Sequence, residues 1–228
     1  MPVFQLTDEL IFPSPHQAEE NGLLAVGGDL SVKRLLLAYS SGIFPWFSKG
    51  DPILWWSPNP RYIIDPVEVR VPKSLGKFIR RNEFTVTINK SFSNVIKGCA
   101  EAGKRGETGT WITEEMAHAY SILHKLGYVH SVESWHKGEL AGGFYGVCLG
   151  RCFFGESMFF KRPNASKVAF VVFVRKLQNN NFKMIDCQQP SDHMIRFGAK
   201  PVPRREFLNN LSMGGVNVSP VFEPTELI

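Results

Sequence analysis

Residues 129–160 contain three strand-like stretches separated by two glycine turns, and this pattern restricts the fold more than any other part of the chain. The stretches read "VHSVESWHKG", "ELAGGFYGVCLG" and "RCFFGESMFF", and the turns fall at Gly138 and Gly150. Connections this short join neighbouring antiparallel strands. We therefore expect two consecutive antiparallel hairpins here.

The third stretch places the carboxylate of Glu156 inside an aromatic run. An unpaired charge is costly to bury. In a regular strand Glu156 shares one face with Phe154 and Met158, and Phe153 lies on the other face. Two interpretations are open: the polar side chain meets water, or it lines a pocket that requires a carboxylate.

Capping residues and periodicity predict the flanking elements. Ser31 is a suitable N-cap for a helix over 32–40, which Gly42 follows. The other predicted elements are a strand over 84–89, helices over 91–102 and from Thr113 to Gly127, a strand over 183–189, and two closing helices that begin at Ser191 and Pro203. Residues 164–180 remain open between a strand, which β-branched content favours, and a buried helix, which length favours.

Bulk composition narrows the class of protein. The 228 residues, 43% of them hydrophobic, suit one large domain or a main domain with a small partner. The formal net charge of +5 is compatible with a nucleic acid or an acidic partner. The cysteines and histidines lack zinc-ligand spacing, the first residues lack a signal sequence, and no apolar run could span a bilayer. We expect a cytoplasmic protein with reduced thiols and no membrane partner.

The stretch "MIDCQQ" places an acid and an amide two positions apart, at Asp186 and Gln188. In a strand both point the same way, with Cys187 on the opposite face. Such a pair is able to orient and activate a nucleophile, although a solvated strand edge accounts for the spacing equally well. A reactive Cys187 is disfavoured, because the spacing fixes no histidine near it.

Two other features are typical of nucleic-acid binding. Arg70, Lys73, Lys77, Arg80 and Arg81 form a run that no acid interrupts, and a helix capped by Ser74 would place the last three on one face. Tryptophans in Gly/Pro/Thr-rich segments, among them Trp46 and Trp111, are able to stack on bases. The alternatives are a solvated charged face and indoles packed on the core. The glycines of "GGFYG" (142–146) indicate close backbone approach or a bulge instead of phosphate binding.

Several strings resemble the bacterial leucyl/phenylalanyl-tRNA–protein transferase family. In order they are "NGLLAVGGDLS", "GIFPWFS", "DPILWWSPNPR", "GTWIT", "AGGFYGV", "FFGESMF", "NASK" and "IDCQ", over residues 21–188. The resemblance implies an enzyme that moves Leu, Phe or Met from aminoacyl-tRNA to the α-amine of proteins with N-terminal Lys or Arg, which feeds the N-degron degradation pathway. We expect a monomer that needs no cofactor and no metal.

The resemblance also implies an α+β fold, with a small N-terminal α+β domain over residues 1–62 and a mixed-sheet domain over 63–228 similar to the Gcn5-related acetyltransferases. It favours a helix over 165–179. It places Phe153, Glu156 and Met158 around one pocket, which a regular strand cannot do, and so predicts an irregularity at Gly155.

Site residues are implied by position. Asp186, Gln188 and Glu156 match the polar active-site residues. Our hypothesis is that Gln188 contacts the attacking amine, Asp186 polarises or positions it, and Glu156 either holds the ammonium of the aminoacyl group or organises that end of the pocket. Glu156 or Asp186 also contributes to an acidic recess for the basic first residue of the acceptor protein. The resemblance further implies an apolar aminoacyl pocket formed by Phe144, Phe153, Met158, Phe170, Phe173 and Ile185, adenosine binding by Trp46 and Trp111, and tRNA binding by the cluster that includes Lys77, Arg80 and Arg81.

Two other functions are weighed against this one. An acyl-CoA-dependent N-acyltransferase usually carries a Gln/Arg-x-x-Gly-x-Gly/Ala loop, and the sequence contains none. A non-catalytic RNA-binding module accounts for the basic run and the tryptophans. It does not account for Glu156, Asp186 and Gln188 in apolar surroundings.

Overall fold

The computed structural model describes residues 3–103, 111–216 and 222–228. The strands are β1 (Phe4–Leu6), β2 (Leu23–Gly27), β3 (Phe44–Pro45), β4 (Leu54–Trp56), β5 (Arg61–Ile64), β6 (Thr85–Ile88), β7 (Val129–His136), β8 (Glu139–Leu149), β9 (Cys152–Phe160), β10 (Met184–Gln188), β11 (Lys200–Val202) and β12 (Thr225–Glu226). The α-helices are α1 (Val32–Ser40), α2 (Lys73–Ile79), α3 (Phe92–Gly103), α4 (Glu114–Lys125), α5 (Ala165–Asn179), α6 (Asp192–Arg196) and α7 (Arg204–Met213).

The strands form two mixed sheets, which confirms the α+β class. Within the described residues, the small sheet has the order β1-β2-β4-β3 and the large sheet the order β11-β5-β10-β9-β8-β7-β6-β12. The expected hairpins are the central β7–β8–β9 meander. β10 lies parallel to β9 and antiparallel to β5. The chain passes from the small sheet to the large sheet between Trp56 and Arg61. The expected domain boundary after residue 62 therefore falls inside β5, a strand of the large sheet.

The large sheet separates two apolar layers. Along β8, Phe144 and Cys148 pack in the layer that contains α5, whereas Tyr145 and Val147 pack in the layer that contains α1, α3 and α4. This alternation buries the meander on both faces. The small sheet adds Trp55 to the second layer, so the N-terminal region shares a core with the large sheet.

The open segment at 164–180 is a helix, as the resemblance implies. α5 buries Val168, Phe170, Val171, Phe173 and Leu177, on more than one side of the helix. It lies across β7 and β8 and also contacts α2. Burial between these neighbours outweighs the strand preference of its β-branched residues.

The strand β9 is irregular where the resemblance predicts it. Opposite β8, Gly146 pairs with Gly155 and Tyr145 pairs with Ser157, so Glu156 is an extra residue without a partner across the ladder. Such a bulge bends the strand locally. The predicted irregularity at Gly155 is confirmed.

The bulge also reverses the faces of the side chains that follow it. Phe153 and Met158 both lie in the layer of α5, although they are five positions apart. Phe154 and Phe159 both lie in the opposite layer. An uninterrupted strand would send the members of each pair to opposite faces. One extra residue therefore allows residues before and after it to line the same cavity.

The basic helix α2 differs from the expectation. It begins at Lys73 with Pro72 at the N-cap, so Ser74 does not cap it. It ends at Ile79, with Arg80 at the C-cap and Arg81 beyond it. Of the three cations expected on one helical face, only Lys77 lies within the helix, while Arg80 caps its C-terminus with helical dihedrals and Arg81 follows. A proline fixes φ near the helical value and lacks the N–H that a helix start leaves unpaired, which accounts for the earlier start.

No helix within residues 3–103, 111–216 and 222–228 is long and apolar enough to cross a bilayer. α5 is the longest of them, with 15 residues, and a span requires about 20. The same parts of the chain bring together no group of three or more His, Cys, Asp or Glu side chains that could hold a metal ion.

We expect Gly146→Ala to destabilise the fold, because the new methyl carbon would overlap the Phe154 carbonyl oxygen and the Phe153 ring. Overpacking of this kind lowers the free energy of unfolding by about 1–3 kcal/mol. Urea denaturation measures it. Gly76→Ala in α2 is the control, because its new carbon meets nothing closer than 3.9 Å. Equal effects of the two changes would contradict the close approach at the bulge.

Candidate active site

A cavity of about 700 Å³ opens beside the bulge, between β9, β10 and the start of α5. Five of the six predicted apolar residues line it: Phe144, Phe153, Met158, Phe170 and Ile185. Phe173 lies behind this wall, with its ring centroid 5.6 Å from that of Phe144 and 4.9 Å from that of Phe153. The cavity therefore has an aromatic wall that a second aromatic ring supports.

Glu156 lies half-buried at the polar end of this cavity. Tyr39 donates a hydrogen bond to its Oε1 at 2.8 Å, and Tyr120 donates to its Oε2 at 3.1 Å. Gln188 Nε2 also donates to Oε1, at 3.0 Å. Burial raises the pKa of Glu156 to about 7, and the Asp186 carboxylate adds to the rise, while these three hydrogen bonds lower it.

The three side chains of this cluster, Tyr39, Tyr120 and Glu156, together hold either two or three hydrogen-bonding protons. The hydroxyls of Tyr39 and Tyr120 contact each other as well as Glu156, which makes three contacts. With Glu156 ionised, the two tyrosine protons satisfy two of them. A proton on Glu156 supplies the third. Because its pKa is about 7, Glu156 exchanges this proton in the neutral pH range.

Asp186 forms a fully buried ion pair with Arg61 on the neighbouring strand β5. Arg61 Nε donates to Oδ1 at 2.8 Å and Nη2 donates to Oδ2 at 2.6 Å. The guanidinium carbon lies 4.7 Å from the ring centroid of Phe44 and 4.6 Å from that of Phe207. Two-point binding between two aromatic rings fixes the position of the carboxylate.

Gln188 takes its position from Asp186. Its backbone N–H donates to Asp186 Oδ1 at 2.8 Å, and its φ of 62° lies in the left-handed region. The pairing of β10 with β5 is irregular between these two residues. This irregularity ends the alternation expected for the strand, so Cys187 borders the main cavity together with Asp186 instead of facing away from it.

Cys187 is not set up as a nucleophile. Burial raises the pKa of its thiol well above the usual range, and the Asp186 carboxylate adds to the rise. The thiolate is the reactive form of cysteine. The thiol is therefore protonated at neutral pH, in agreement with the low expectation for a reactive cysteine.

A second recess, of about 100 Å³, lies on the other side of Glu156 and Gln188 and is bordered by Trp46 and Trp111. Trp46 is 42% exposed, so its ring is available for stacking. Trp56 holds it in place through an edge-on ring contact at 5.7 Å and an indole N–H bond of 2.7 Å to its carbonyl. Residues 109–110 of the string "GTWIT" lie outside the described residues.

The predicted tRNA-binding residues lie on and beside α2, and all of them are exposed: Arg70, Lys73, Lys77, Arg80 and Arg81. Arg81 Nη1 lies 3.8 Å from Glu83 Oε1, an exposed pair of little consequence for stability. These residues form a cationic surface and do not enter the aromatic cavity.

Comparison with known proteins agrees with this geometry. The chain matches "Leucyl/phenylalanyl-tRNA protein transferase" over residues 63–212 and the N-terminal domain of that family over residues 28–59. The chain belongs to the leucyl/phenylalanyl-tRNA–protein transferase family. The resemblance found in the short strings is confirmed.

Relatives of that name extend the match to nearly the whole chain. The leucyl/phenylalanyl-tRNA–protein transferase of Syntrophotalea carbinolica is 56% identical over 219 residues, which cover 96% of this chain and 95% of the relative. That of Solidesulfovibrio magneticus is 56% identical over 211 residues, or 92% of this chain and 85% of the relative.

Likeness to solved structures is much weaker. A GCN5-related N-acetyltransferase from Kribbella flavida is 12% identical with a TM-score of 0.38, over 72% of this chain and 58% of that one. L-PGS from Bacillus licheniformis is 11% identical with a TM-score of 0.42, over 90% of this chain and 65% of that one.

Sequence reasoning missed three residues at the candidate site of this transferase: Tyr39, Arg61 and Tyr120. Arg61 lies 125 positions from Asp186, so no local spacing links them. The only available signal was that a carboxylate in an apolar strand needs a cation. Tyr39 and Tyr120 occupy ordinary core positions on α1 and α4, and only the packing of those helices against β9 brings them to Glu156.

We expect Arg61→Met to destabilise the transferase, because it leaves Asp186 as an uncompensated buried charge. Removing one partner of a buried pair costs about 3–5 kcal/mol. Urea denaturation measures the loss, and adding Asp186→Asn should recover much of it. Glu68→Gln serves as the control: Glu68 and Lys200 form an ion pair in which both side chains are more than half exposed, and its loss should cost about 1 kcal/mol or less. A stable Arg61→Met variant would contradict the assignment.

Proposed function

We propose that the protein transfers leucine, phenylalanine or methionine from aminoacyl-tRNA to the α-amine of proteins that begin with Lys or Arg, and so marks them for N-degron degradation. One observation carries this: an aromatic cavity ends at a polar cluster of Glu156, Asp186 and Gln188. The name shared by the relatives supports an aminoacyl-tRNA and a protein as the two substrates.

The reaction is aminolysis of an ester. The amine nitrogen bonds to the aminoacyl carbonyl carbon, the bond from that carbon to the ribose 3′-oxygen breaks, and the amine proton ends on that oxygen. The ester already carries the free energy for peptide-bond formation, so a nucleotide triphosphate is not required. The protein must hold both substrates together and keep the amine neutral.

Gln188 orients the amine in this proposal. Its side-chain N–H donates to Glu156, which directs its carbonyl oxygen to accept a hydrogen bond from the attacking nitrogen. Asp186 acts as a positioning residue, because Arg61 and the Gln188 backbone already occupy its oxygens. It holds Gln188 in the left-handed conformation that brings the amide to Glu156.

Glu156 accepts the proton in this proposal and passes it to the leaving oxygen. It is the site carboxylate without a buried cationic partner among the described residues. A base works best when its pKa is near the working pH, and burial raises that of Glu156 to about 7. The same carboxylate is placed to bind an ammonium group, either of the aminoacyl residue or of the acceptor's first side chain.

The remaining predicted residues bind three parts of the aminoacyl-tRNA: the amino-acid side chain, the terminal adenosine and the acceptor stem. Met158, Phe170 and their neighbours in the cavity wall take the apolar side chain. Trp46 and Trp111 take the terminal adenosine, next to Gln188. The exposed cations on and beside α2 take the phosphates of the acceptor stem.

The proposal extends to the organisation of the protein. The small sheet and the large sheet represent the N-terminal and catalytic domains, joined near residues 57–60. We place the enzyme in the cytoplasm as a monomer, because its tRNA and protein substrates meet there and one chain supplies the whole site.

Incubation with Leu-tRNA and a peptide that begins with Arg tests the activity. We expect a Leu-Arg peptide bond, detected by mass spectrometry, and no product from the same peptide with an N-terminal Glu. Absence of product with fresh substrates would overturn the proposal. Acetyl transfer from acetyl-CoA would favour the acyltransferase alternative, and tRNA binding without any transfer would favour the RNA-binding alternative.

The pH dependence of transfer tests the role of Glu156. Turnover should rise through an apparent pKa of about 7, because only the ionised carboxylate accepts a proton. Glu156→Gln should remove this rise and lower turnover by about 10²–10⁴-fold. Tyr39→Phe should move the apparent pKa upward, because the lost hydrogen bond favours the ionised form. A rise through the same apparent pKa in Glu156→Gln would show that another group governs it, such as the acceptor's own α-amine, whose pKa is about 7.7–8.0.

A further inference from the structure

A basic recess of about 550 Å³ lies between α2, α5 and α6, beside the aromatic cavity. Its lining includes three cationic side chains from three different segments: Arg81, Lys167 and Arg196. No acidic residue lines it within the described part of the chain. Among the described residues, Lys167 and Arg196 form no ion pair, and the Arg81 pair with Glu83 is long and exposed. Positive charge therefore converges on the recess without being neutralised.

The charges of Lys167 and Arg196 act on His193, a third side chain in the recess. Its ring lies in the recess, 5.2 Å from the ring centroid of Phe197. Its Nε2 is buried and has no hydrogen-bond partner in the described parts of the chain. Burial lowers its pKa, and the charges of Lys167 and Arg196 lower it further. A neutral imidazole that has an unused nitrogen suits a hydrogen bond to an anion.

The floor of the recess is apolar. Leu75, Phe78 and Phe197 contribute to it, and α5 begins at its edge with Asn164. The positive end of the α5 dipole adds to the field of the side chains. Cations above an aromatic floor match a nucleotide, which has an anionic phosphodiester and a base with a π-face.

The recess is continuous with the reaction site. Asn164, Lys167 and His193 line both the recess and the aromatic cavity. On its other side it is bordered by Ser74 and Phe78 of α2, the helix that carries the exposed cations Lys73 and Lys77. An RNA strand that runs from the aminoacyl ester beside Glu156 to the exposed cations of α2 would therefore pass along the recess.

We propose that Lys167, His193 and Arg196, with Arg81, form a phosphodiester site for the single-stranded end of the RNA substrate. This rests on the proposed function, since it takes the RNA to be an aminoacyl-tRNA. The site holds a nucleotide upstream of the terminal adenosine and aligns the ester with Gln188. This phosphodiester site is distinct from the predicted basic run of α2 and from the tryptophans, because two of its cations, Lys167 and Arg196, lie on α5 and α6.

Arg196→Ala tests the site, because Arg196 is exposed and does not line the aromatic cavity. The Kd and KM for Leu-tRNA should rise about three- to tenfold, and the slope of log Kd against log salt should fall by about 0.7. Turnover of 3′-O-leucyl-adenosine, which has no phosphate, should not change. Arg196→Lys should keep most of the affinity. Arg175→Ala, an exposed arginine further along α5, should leave all of these values unchanged.

Binding of a 5′-phosphorylated ACCA oligonucleotide, followed by fluorescence anisotropy, tests the site without transfer and should weaken in Arg196→Ala. If the wild-type protein binds it through Arg196 yet transfers no amino acid, the proposed function fails and the phosphodiester site stands. Unchanged affinity for both tRNA and oligonucleotide would overturn the site. An equal loss of turnover with 3′-O-leucyl-adenosine would also overturn it. A raised KM for the acceptor peptide with unchanged tRNA affinity would overturn it too, because that result would assign the recess to the protein substrate.

Discussion

The buried pair of Arg61 and Asp186 connects the parts of this molecule that form its candidate site. It joins β5 to β10, and the guanidinium lies between Phe44 of the small sheet and Phe207 of α7. A buried pair adds little net stability compared with an apolar replacement. Its consequence here is positional, because the fixed carboxylate also binds the backbone of Gln188. The N-terminal region therefore takes part in the arrangement of the site.

The bulge at Glu156 is the second constraint, and it depends on the close approach that Gly146 allows. Gly146 leaves room for the Phe154 carbonyl and the Phe153 ring, and its partner Gly155 precedes the extra residue. The resulting change of face aligns Phe153 with Met158 in the aromatic wall. It also directs Glu156 toward Tyr39 and Tyr120, whose hydrogen bonds offset part of the cost of burying a carboxylate. One extra residue thus completes the aromatic wall of the cavity and places the carboxylate of Glu156 at the polar end of that cavity.

The aromatic cavity adjoins a separate recess on each of two sides, and each of the three has its own chemistry. The aromatic cavity is suited to an apolar side chain, the tryptophan recess to a base, and the recess beside α5 to an anion. Glu156 and Cys187 border the first two, and Lys167 and His193 border the first and third. An aminoacylated RNA end presents these three groups within a few ångströms of its ester. The arrangement suits an enzyme that accelerates its reaction mainly by holding the substrates in the reactive orientation.

The sequence by itself determined the local elements, because caps, glycine turns and hydrophobic periodicity act over a few residues. The helix after Ser31, the helix after Thr113 and the β7–β9 hairpins all follow from such signals. Its short strings also identified the family and most of the cavity wall. Only the tertiary structure decided the partners of the polar residues. Arg61 and Asp186 are 125 positions apart, and Tyr39 and Glu156 are 117 apart. Contacts over such separations depend on how helices and strands pack, which no local pattern encodes.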